Sequence, residues 1–166
     1  MRNTSHTGEV SRTQVIAALT LHGKIVLLPL SDYQKYDLVV DDGGRFLRVQ
    51  CKTGKLVNGA VVFYPCSVDS RSERGRCVRR GYGGHADMFG VYCPDNAKCY
   101  LVPVGDVTTG QCCLRVDTPK NGQKRNIRWA GPYEITDQWS WRDSNPRPLE
   151  CHSSALPAAP QAQTGV

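Results

Sequence analysis

The sequence contains no long run of apolar residues. No window approaches the roughly 18 to 20 consecutive apolar residues that a helix needs to cross a bilayer, which excludes a helical membrane span. Residues 1–6 are polar and lack the apolar core of a signal peptide. We therefore expect a cytoplasmic protein without a membrane partner.

Cysteine pairs at the short spacing of a zinc site are also missing. The chain has eight cysteines, but Cys93 and Cys99 are separated by five residues and Cys112 directly precedes Cys113. This spacing does not favour a structural zinc, and without a secretory signal a disulfide framework is not expected. We expect reduced thiols, most of them buried.

Acidic residues are scarcer than basic ones. There are 15 aspartates and glutamates against 21 lysines and arginines, which gives a formal net charge of +6. Two groups of basic residues fall in turn-rich, glycine-containing sequence and are candidates for contacts to nucleic-acid phosphates. The first is Arg71, Arg74, Arg76, Arg79 and Arg80; the second is Lys120, Lys124, Arg125 and Arg128. The alternative is a solvated basic face with no partner.

The order of elements predicts an α/β fold. A helix is expected over residues 7–22 and is terminated by Gly23. Its apolar stripe is expected to run through Val10, Ala17 and Leu21, with Ile16 and Leu19 beside them. Strands are expected at 24–30, 36–40, 45–52 and 59–64, in a hairpin over 87–104, and at 114–116, with a long basic loop over 67–84. The result would be a mixed, mostly antiparallel sheet with the N-terminal helix packed on it.

The last residues are expected to be disordered. From about residue 137 the chain is broken by proline and has no periodicity. Asp143-Ser144-Asn145-Pro146 is also what translation of the complement of a tRNA T-loop would give. This predicts a reading frame that runs into a tRNA gene, in which case the tail carries no selected structure.

The hairpin over residues 36–52 carries the most informative pattern. Its two strands are joined by a turn at Asp41-Asp42-Gly43-Gly44, and alternation places Arg48, Gln50 and Lys52 on one face of the second strand. Because polar side chains inside an otherwise apolar sheet are costly unless they are satisfied, this face suggests function.

Asp37, Gln50 and Lys52 suit the hydrolysis of a phosphodiester. A carboxylate such as Asp37 is a preferred ligand of Mg²⁺ or Mn²⁺, and Gln50 and the carbonyl of Cys51 could add neutral oxygens. A lysine beside the attacked phosphate can orient water or offset developing negative charge. Arg48, on the same face, is a further candidate for a phosphate contact.

Tyr36-Asp37-Leu38-Val39 followed by Arg48-Val49-Gln50-Cys51-Lys52-Thr53-Gly54 resembles a known nuclease signature. It is similar to that of the PD-(D/E)xK nucleases, in the variant in which glutamine replaces the second acid, and specifically to the intron-associated endonucleases and their bacterial relatives. The downstream segments 84–94, 114–116, 119–123 and 127–130 also resemble that family. The similarity covers about residues 7 to 135, so we assign residues 1–136 to one endonuclease-like domain and 137–166 to the tail.

The resemblance implies a magnesium-dependent DNA endonuclease with a restriction-endonuclease-like core. It implies double-stranded DNA as substrate, a homo-oligomer (a dimer or tetramer) and a homing type of activity. One position departs from the family pattern. The first helix of the family often carries an acid that helps to hold metal, and here the equivalent residue is Arg12. Glu9, one turn earlier, could replace it.

Other functions remain open at this point. A Holliday-junction resolvase can share the same fold, and a cruciform substrate would distinguish it from an enzyme that cuts linear duplex DNA. A decayed nuclease that only binds DNA would explain Arg12 and Gln50. A redox or zinc protein would rest on the cysteine count alone.

Overall fold

The computed structural model describes residues 4–31, 33–69, 78–108, 110–118 and 125–137. The expected disordered tail therefore lies, from residue 138 onward, outside the described residues. The same is true of Arg71, Arg74, Arg76, Lys120 and Lys124. No helix in these described ranges is long and apolar enough to span a membrane.

One long helix, α1 (Thr4–Leu21), begins three residues before the expected start. It ends at Leu21, one residue before the expected end. Gly23 terminates it as predicted, and its φ of 71° permits the main-chain hydrogen bond from Lys24 N to Leu19 O (2.9 Å).

The expected apolar stripe was wrong for Val10, Ala17 and Leu21, which are exposed. It was right for Leu19, which is buried, as are Ser11 and Val15. Ser11 and Val15 were left out of the prediction because Ser11, the first member of the buried stripe, is polar.

The main sheet has five strands in the spatial order β1-β2-β3-β8-β9. Their bounds are β1 Ile25–Leu27, β2 Leu38–Asp41, β3 Phe46–Thr53, β8 Met88–Cys93 and β9 Lys98–Pro103. Neighbours are antiparallel except for β3 and β8, which are parallel. Helix α1 packs on one face, over a core that includes Leu38, Val40 and Val49. The predicted mixed, mostly antiparallel sheet with an N-terminal helix packed on it is confirmed.

A second, three-stranded sheet covers the opposite face. It has the order β10-β5-β4, with β4 Lys55–Val57, β5 Ala60–Phe63 and β10 Cys112–Arg115. Its buried side chains meet those of the main sheet in a second core, in which the rings of Phe63 and Phe89 make an edge contact at 5.8 Å. Strand β4 was not predicted.

Two further short strands, β6 (Ser67–Asp69) and β7 (Val78–Arg80), pair with each other in antiparallel fashion. We call this pair the β6/β7 ribbon. It falls within the segment that was expected to be a loop, and that expectation was wrong for these strand residues. The strands are too short to stand out from their basic, serine-rich surroundings.

Candidate active site

The predicted hairpin is formed by β2 and β3. Its register pairs Leu38 with Val49, which places Asp37 opposite Gln50 at the open end of the hairpin. The main-chain N–H of Asp37 extends the ladder by donating to Val49 O at 2.8 Å. The predicted turn contains Gly43 and Gly44, both with positive φ (68° and 115°), where glycine is favoured.

Asp37 is the centre of the polar cluster. Its Oδ2 accepts one hydrogen bond from Gln50 Nε2 and another from the main-chain N–H of Cys51, both at 2.6 Å. Within the described part of the chain, its second oxygen, Oδ1, receives no hydrogen bond. Burial raises the pKa of Asp37, and the Cys51 hydrogen bond and the nearby Arg12 cation partly offset that rise. A half-buried acid with one oxygen free of hydrogen bonds in the described residues and two nearby cations, Arg12 and Lys52, suits a functional role better than a structural one.

The side-chain amide of Gln50 is oriented by the contacts of its nitrogen. Nε2 donates to Asp37 and lies 3.4 Å from the carbonyl oxygen of Cys51, so that Oε1 is left for another partner. Because the N–H and C=O of one strand residue point to the same edge, the Cys51 carbonyl faces the same side as its N–H, towards Asp37. Burial raises the pKa of the Cys51 thiol far above neutrality, so the oxygen and not the sulfur is its available ligand atom.

Lys52 lies next to this cluster, and its charge offsets part of the rise that burial causes in the pKa of Asp37. Its ammonium donates to the carbonyl oxygen of Cys66 at 3.0 Å and to the hydroxyl of Tyr82 at 3.1 Å. It also lies 4.6 Å from the centroid of the Tyr82 ring, within the range of a cation–π contact. The sequence pattern did not identify Tyr82 or the Cys66 carbonyl, since both lie outside the hairpin.

Arg12 occupies the side of α1 that faces the cluster. Its charge acts on both Asp37 and Cys51. That position 12 corresponds to the family's helix acid stays a prediction. Glu9 is exposed, and no interaction within the described ranges joins it to Asp37, Gln50 or Lys52. Its catalytic role stays a prediction.

Arg48 shares a face with Gln50 and Lys52 but is engaged by Asp87. Its Nε and Nη2 donate to the two carboxylate oxygens of Asp87 at 3.0 and 2.9 Å, and Nη1 donates to Gly84 O at 3.0 Å. These hydrogen bonds lower the pKa of Asp87. Asp87 therefore has a structural partner. Any contact of Arg48 with DNA would be made by a guanidinium that also binds Asp87 and Gly84 O.

The other predicted DNA contacts are dispersed. Arg128 is half-buried and donates to the main-chain oxygen of Asp106 and to Cys112 Sγ, whereas Arg125 is exposed. Arg79 and Arg80 lie on β7, where their backbones pair with residues of β6. Their side chains, like Lys120 and Lys124, lie outside the described part of the structure, so their roles stay predictions.

An acid at the start of one strand faces an amide and a lysine on the next, in a mixed sheet with a helix on one side. This arrangement defines a nuclease of the restriction-endonuclease-like fold. The family model described as PD-(D/E)XK endonuclease matches residues 2–136. The chain belongs to the PD-(D/E)XK endonuclease family, and the protein is a nuclease.

A solved structure supports the same assignment. The chain is similar to a bacterial homing endonuclease, I-Ssp6803I, with 26% sequence identity and a TM-score of 0.64. The similarity covers 80% of this chain and 88% of the other. No curated protein matches the sequence.

Proposed function

We propose that this nuclease cuts double-stranded DNA by metal-dependent hydrolysis of phosphodiester bonds. The observation that carries the proposal is the contact between neighbouring strands in which Gln50 Nε2 and Cys51 N–H both bind Asp37 Oδ2. That contact gathers an acid, a neutral amide and a main-chain carbonyl at one point, with the Lys52 amine beside them.

The residues fit a divalent cation. Asp37 and the Cys51 carbonyl both lie within hydrogen-bond distance of the Gln50 amide, and their hard oxygens suit Mg²⁺ or Mn²⁺. Gln50 would add Oε1 if its amide turned to exchange Nε2 for Oε1. Nucleases of this family generally use divalent metals. When bound, such an ion would polarise the phosphoryl group and lower the pKa of a water molecule. The burial that raises the pKa of Asp37 also favours a cation, since a nearby positive charge stabilises the ionised carboxylate.

Lys52 is the side-chain cation that acts at the site in the proposed mechanism, in addition to the bound metal ion. In the proposed mechanism its ammonium donates a hydrogen bond to a phosphate oxygen or to the attacking water, and it offsets negative charge that develops at phosphorus. Asp37 and Gln50 would hold the cation. Glu9 is a candidate for an additional acid.

DNA contact is supported by a hollow of about 260 Å³ beside the site. It is lined by Tyr33, Gln34, Lys35, Tyr36, Arg48 and His85. Lys35 Nζ lies 3.3 Å from His85 Nε2, and Tyr33 is almost fully exposed. Cations and an exposed tyrosine next to a candidate nuclease site suit the backbone phosphates of DNA. Arg79, Arg80, Lys120, Lys124, Arg125 and Arg128 are the further candidates.

We also propose a homing type of activity in a homo-oligomer. The similar solved structure is a bacterial homing endonuclease. Each chain presents one Asp37–Lys52 site, whereas a duplex has two strands, so symmetric cleavage calls for at least two copies. Strand β1 lies at an edge of the sheet with exposed Ile25 and Leu27, which supports its use as a contact between copies. The cytoplasmic location stays a prediction.

Cleavage assays with Lys52→Ala test the proposal. Purified protein is incubated with supercoiled and linear DNA, including the DNA that flanks its own gene, in Mg²⁺ or in EDTA. We expect Mg²⁺-dependent cleavage that is lost in Lys52→Ala while DNA binding is retained. Lys55→Ala, which removes an exposed lysine three residues further along, is the matched control and should cut normally.

Equal cleavage by Lys52→Ala would contradict the mechanism. Cleavage of a cruciform substrate but not of the linear duplex would favour a junction resolvase. Salt-sensitive binding without cleavage of any substrate would favour a DNA-binding domain that has lost activity, the reading motivated by Arg12 and Gln50.

A further inference from the structure

The ammonium of Lys52 has fixed partners on the protein. A lysine ammonium carries three donors. Two of these are directed at the Cys66 carbonyl (3.0 Å) and the Tyr82 hydroxyl (3.1 Å), and the charge lies over the Tyr82 ring. One donor is left for a phosphate or a water, and its direction is set by the other two.

Both partners lie at the base of the β6/β7 ribbon. Cys66 immediately precedes β6, and Tyr82 follows β7 by two residues. The pairing of Ser67 with Arg80 closes the ribbon at this end and brings the Cys66 carbonyl and the Tyr82 hydroxyl to the same nitrogen. The ammonium of Lys52 is therefore held by two groups, the Cys66 carbonyl and the Tyr82 hydroxyl, that are 16 residues apart in sequence.

Tyr82 is itself held rigidly. Its side chain is only 9% exposed, and its ring meets the edge of Phe89 at 5.6 Å and 87°. Its carbonyl oxygen accepts main-chain hydrogen bonds from His85 (2.9 Å) and Ala86 (3.0 Å). A hydroxyl on so fixed a ring can define the position of a flexible lysine, whose rotamer freedom is otherwise large.

We propose that Tyr82 is a positioning residue for Lys52, acting through its hydroxyl to hold the ammonium in the orientation that faces the scissile phosphate. It acts through Lys52 and does not touch DNA. The catalytic consequence rests on the proposed nuclease function, whereas the positioning of Lys52 does not.

The test compares Tyr82→Phe with Tyr133→Phe. Tyr82→Phe keeps the ring over Lys52 and against Phe89 but removes the hydroxyl. Tyr133 is a matched control, since it is also 9% exposed and its hydroxyl donates to Asp106 Oδ2 at 3.2 Å. The measurements are the single-turnover cleavage rate at saturating protein, the DNA affinity in Ca²⁺, the melting temperature and the ¹³Cε relaxation of Lys52, assigned by its loss in Lys52→Arg.

We expect Tyr82→Phe to lower the saturating rate by about tenfold, which a lost hydrogen bond to a charged group would explain. DNA affinity should not change, and the melting temperature should change no more than in Tyr133→Phe. The order parameter of Lys52 Cε should fall only in Tyr82→Phe.

An unchanged Lys52 order parameter in Tyr82→Phe would overturn the proposal. So would a cleavage rate that falls equally in both variants, since that points to general destabilisation. If the wild-type protein cuts no DNA and the order parameter still falls only in Tyr82→Phe, the proposed function fails and the positioning of Lys52 by Tyr82 stands.

Discussion

Arg48 and Asp87 are joined by four hydrogen bonds across the start of the parallel pair of strands. The Arg48 guanidinium binds both carboxylate oxygens of Asp87, and the Arg48 main-chain N–H donates to Oδ2 at 2.8 Å. The main-chain N–H of Asp87 returns a bond to Arg48 O at 2.8 Å. This side-chain and main-chain pairing fixes where β8 meets β3, and hence the register of the strand that carries Gln50 and Lys52.

Asp87→Asn should destabilise the protein in a pH-dependent way. Since the hydrogen bonds from Arg48 lower the pKa of Asp87 from its ordinary value of 3.8, the stabilisation is present above that value and is lost as pH falls through the folded-state pKa. We expect the free energy of unfolding at pH 7 to fall by about 1–2 kcal/mol. Urea denaturation at several pH values measures it.

The control is Glu134→Gln, which weakens the ion pair with the exposed Lys98 (2.8 Å) and should cost about 0.5 kcal/mol. A loss in Asp87→Asn that does not diminish at low pH would assign the effect to packing and not to charge.

Asp37→Asn should abolish cleavage without lowering stability at neutral pH. Burial raises the pKa of Asp37 above 3.8, so the ionised carboxylate costs stability above the folded-state pKa, and this cost disappears below 3.8. The variant should therefore be at least as stable as the wild type at pH 7, with the difference vanishing in acid. Denaturation at pH 7 and below pH 3.8 checks this.

Asp95→Asn is the control, because Asp95 is exposed and binds Leu56 N–H at 2.7 Å. If Asp37→Asn were clearly less stable than the wild type at pH 7, the cations Arg12 and Lys52 would outweigh the cost of burial.

Arg12→Glu should strengthen metal binding. The substitution replaces a cation that acts on Asp37 with a second carboxylate, and affinity for divalent ions rises with the number of charged ligands. We expect Mn²⁺ affinity to rise by about tenfold or more in isothermal titration. Arg12→Gln removes the cation without adding an acid, and equal affinities in the two variants would show that position 12 does not reach the ion.

Gly90→Ala should loosen the contact between α1 and the sheet. A Cβ at this position would lie 2.8 Å from Val15 Cγ1 on the helix and 3.0 Å from Val49 Cγ1 on β3. We expect a loss of about 1–3 kcal/mol in the free energy of unfolding, as for other overpacked cores. Gly8 lies on α1 with open space around it, so Gly8→Ala should instead raise the free energy of unfolding by about 0.5–1 kcal/mol. Equal stability of Gly90→Ala and the wild type would show that the helix yields without cost.

The hairpin could be predicted because its signals are local. A glycine-rich turn and strict alternation fix which side chains share a face, and a short turn sets the register. These rules are enough to place Asp37 beside Gln50. The exposed strand β4 was missed because its few residues lack an apolar alternation.

The surroundings of Lys52 could not be predicted in this way. Tyr82 follows a basic stretch without periodicity, and it reaches Lys52 only because β6 pairs with β7 and β8 pairs with β3. Non-local pairings of this kind leave no trace in local composition. The buried stripe on α1 was missed for another reason, since Ser11 is satisfied by Thr7 O (3.0 Å) and Thr53 Oγ1 (2.6 Å) and so can stand in a core position.

The parallel pairing of β3 with β8 also has a consequence for synthesis on the ribosome. The helix and the hairpin emerge first and can form from local contacts, but β8 and β9 follow only after the excursion through β4, β5 and the ribbon. Until they arrive, the β3 edge lacks its partner, and the apolar side chains of Leu38, Val40 and Val49 lack Met88 and Leu101 beside them in the sheet. The nascent chain therefore passes through an interval in which the half-built sheet is exposed to aggregation and the hairpin that carries Asp37 and Lys52 has no support.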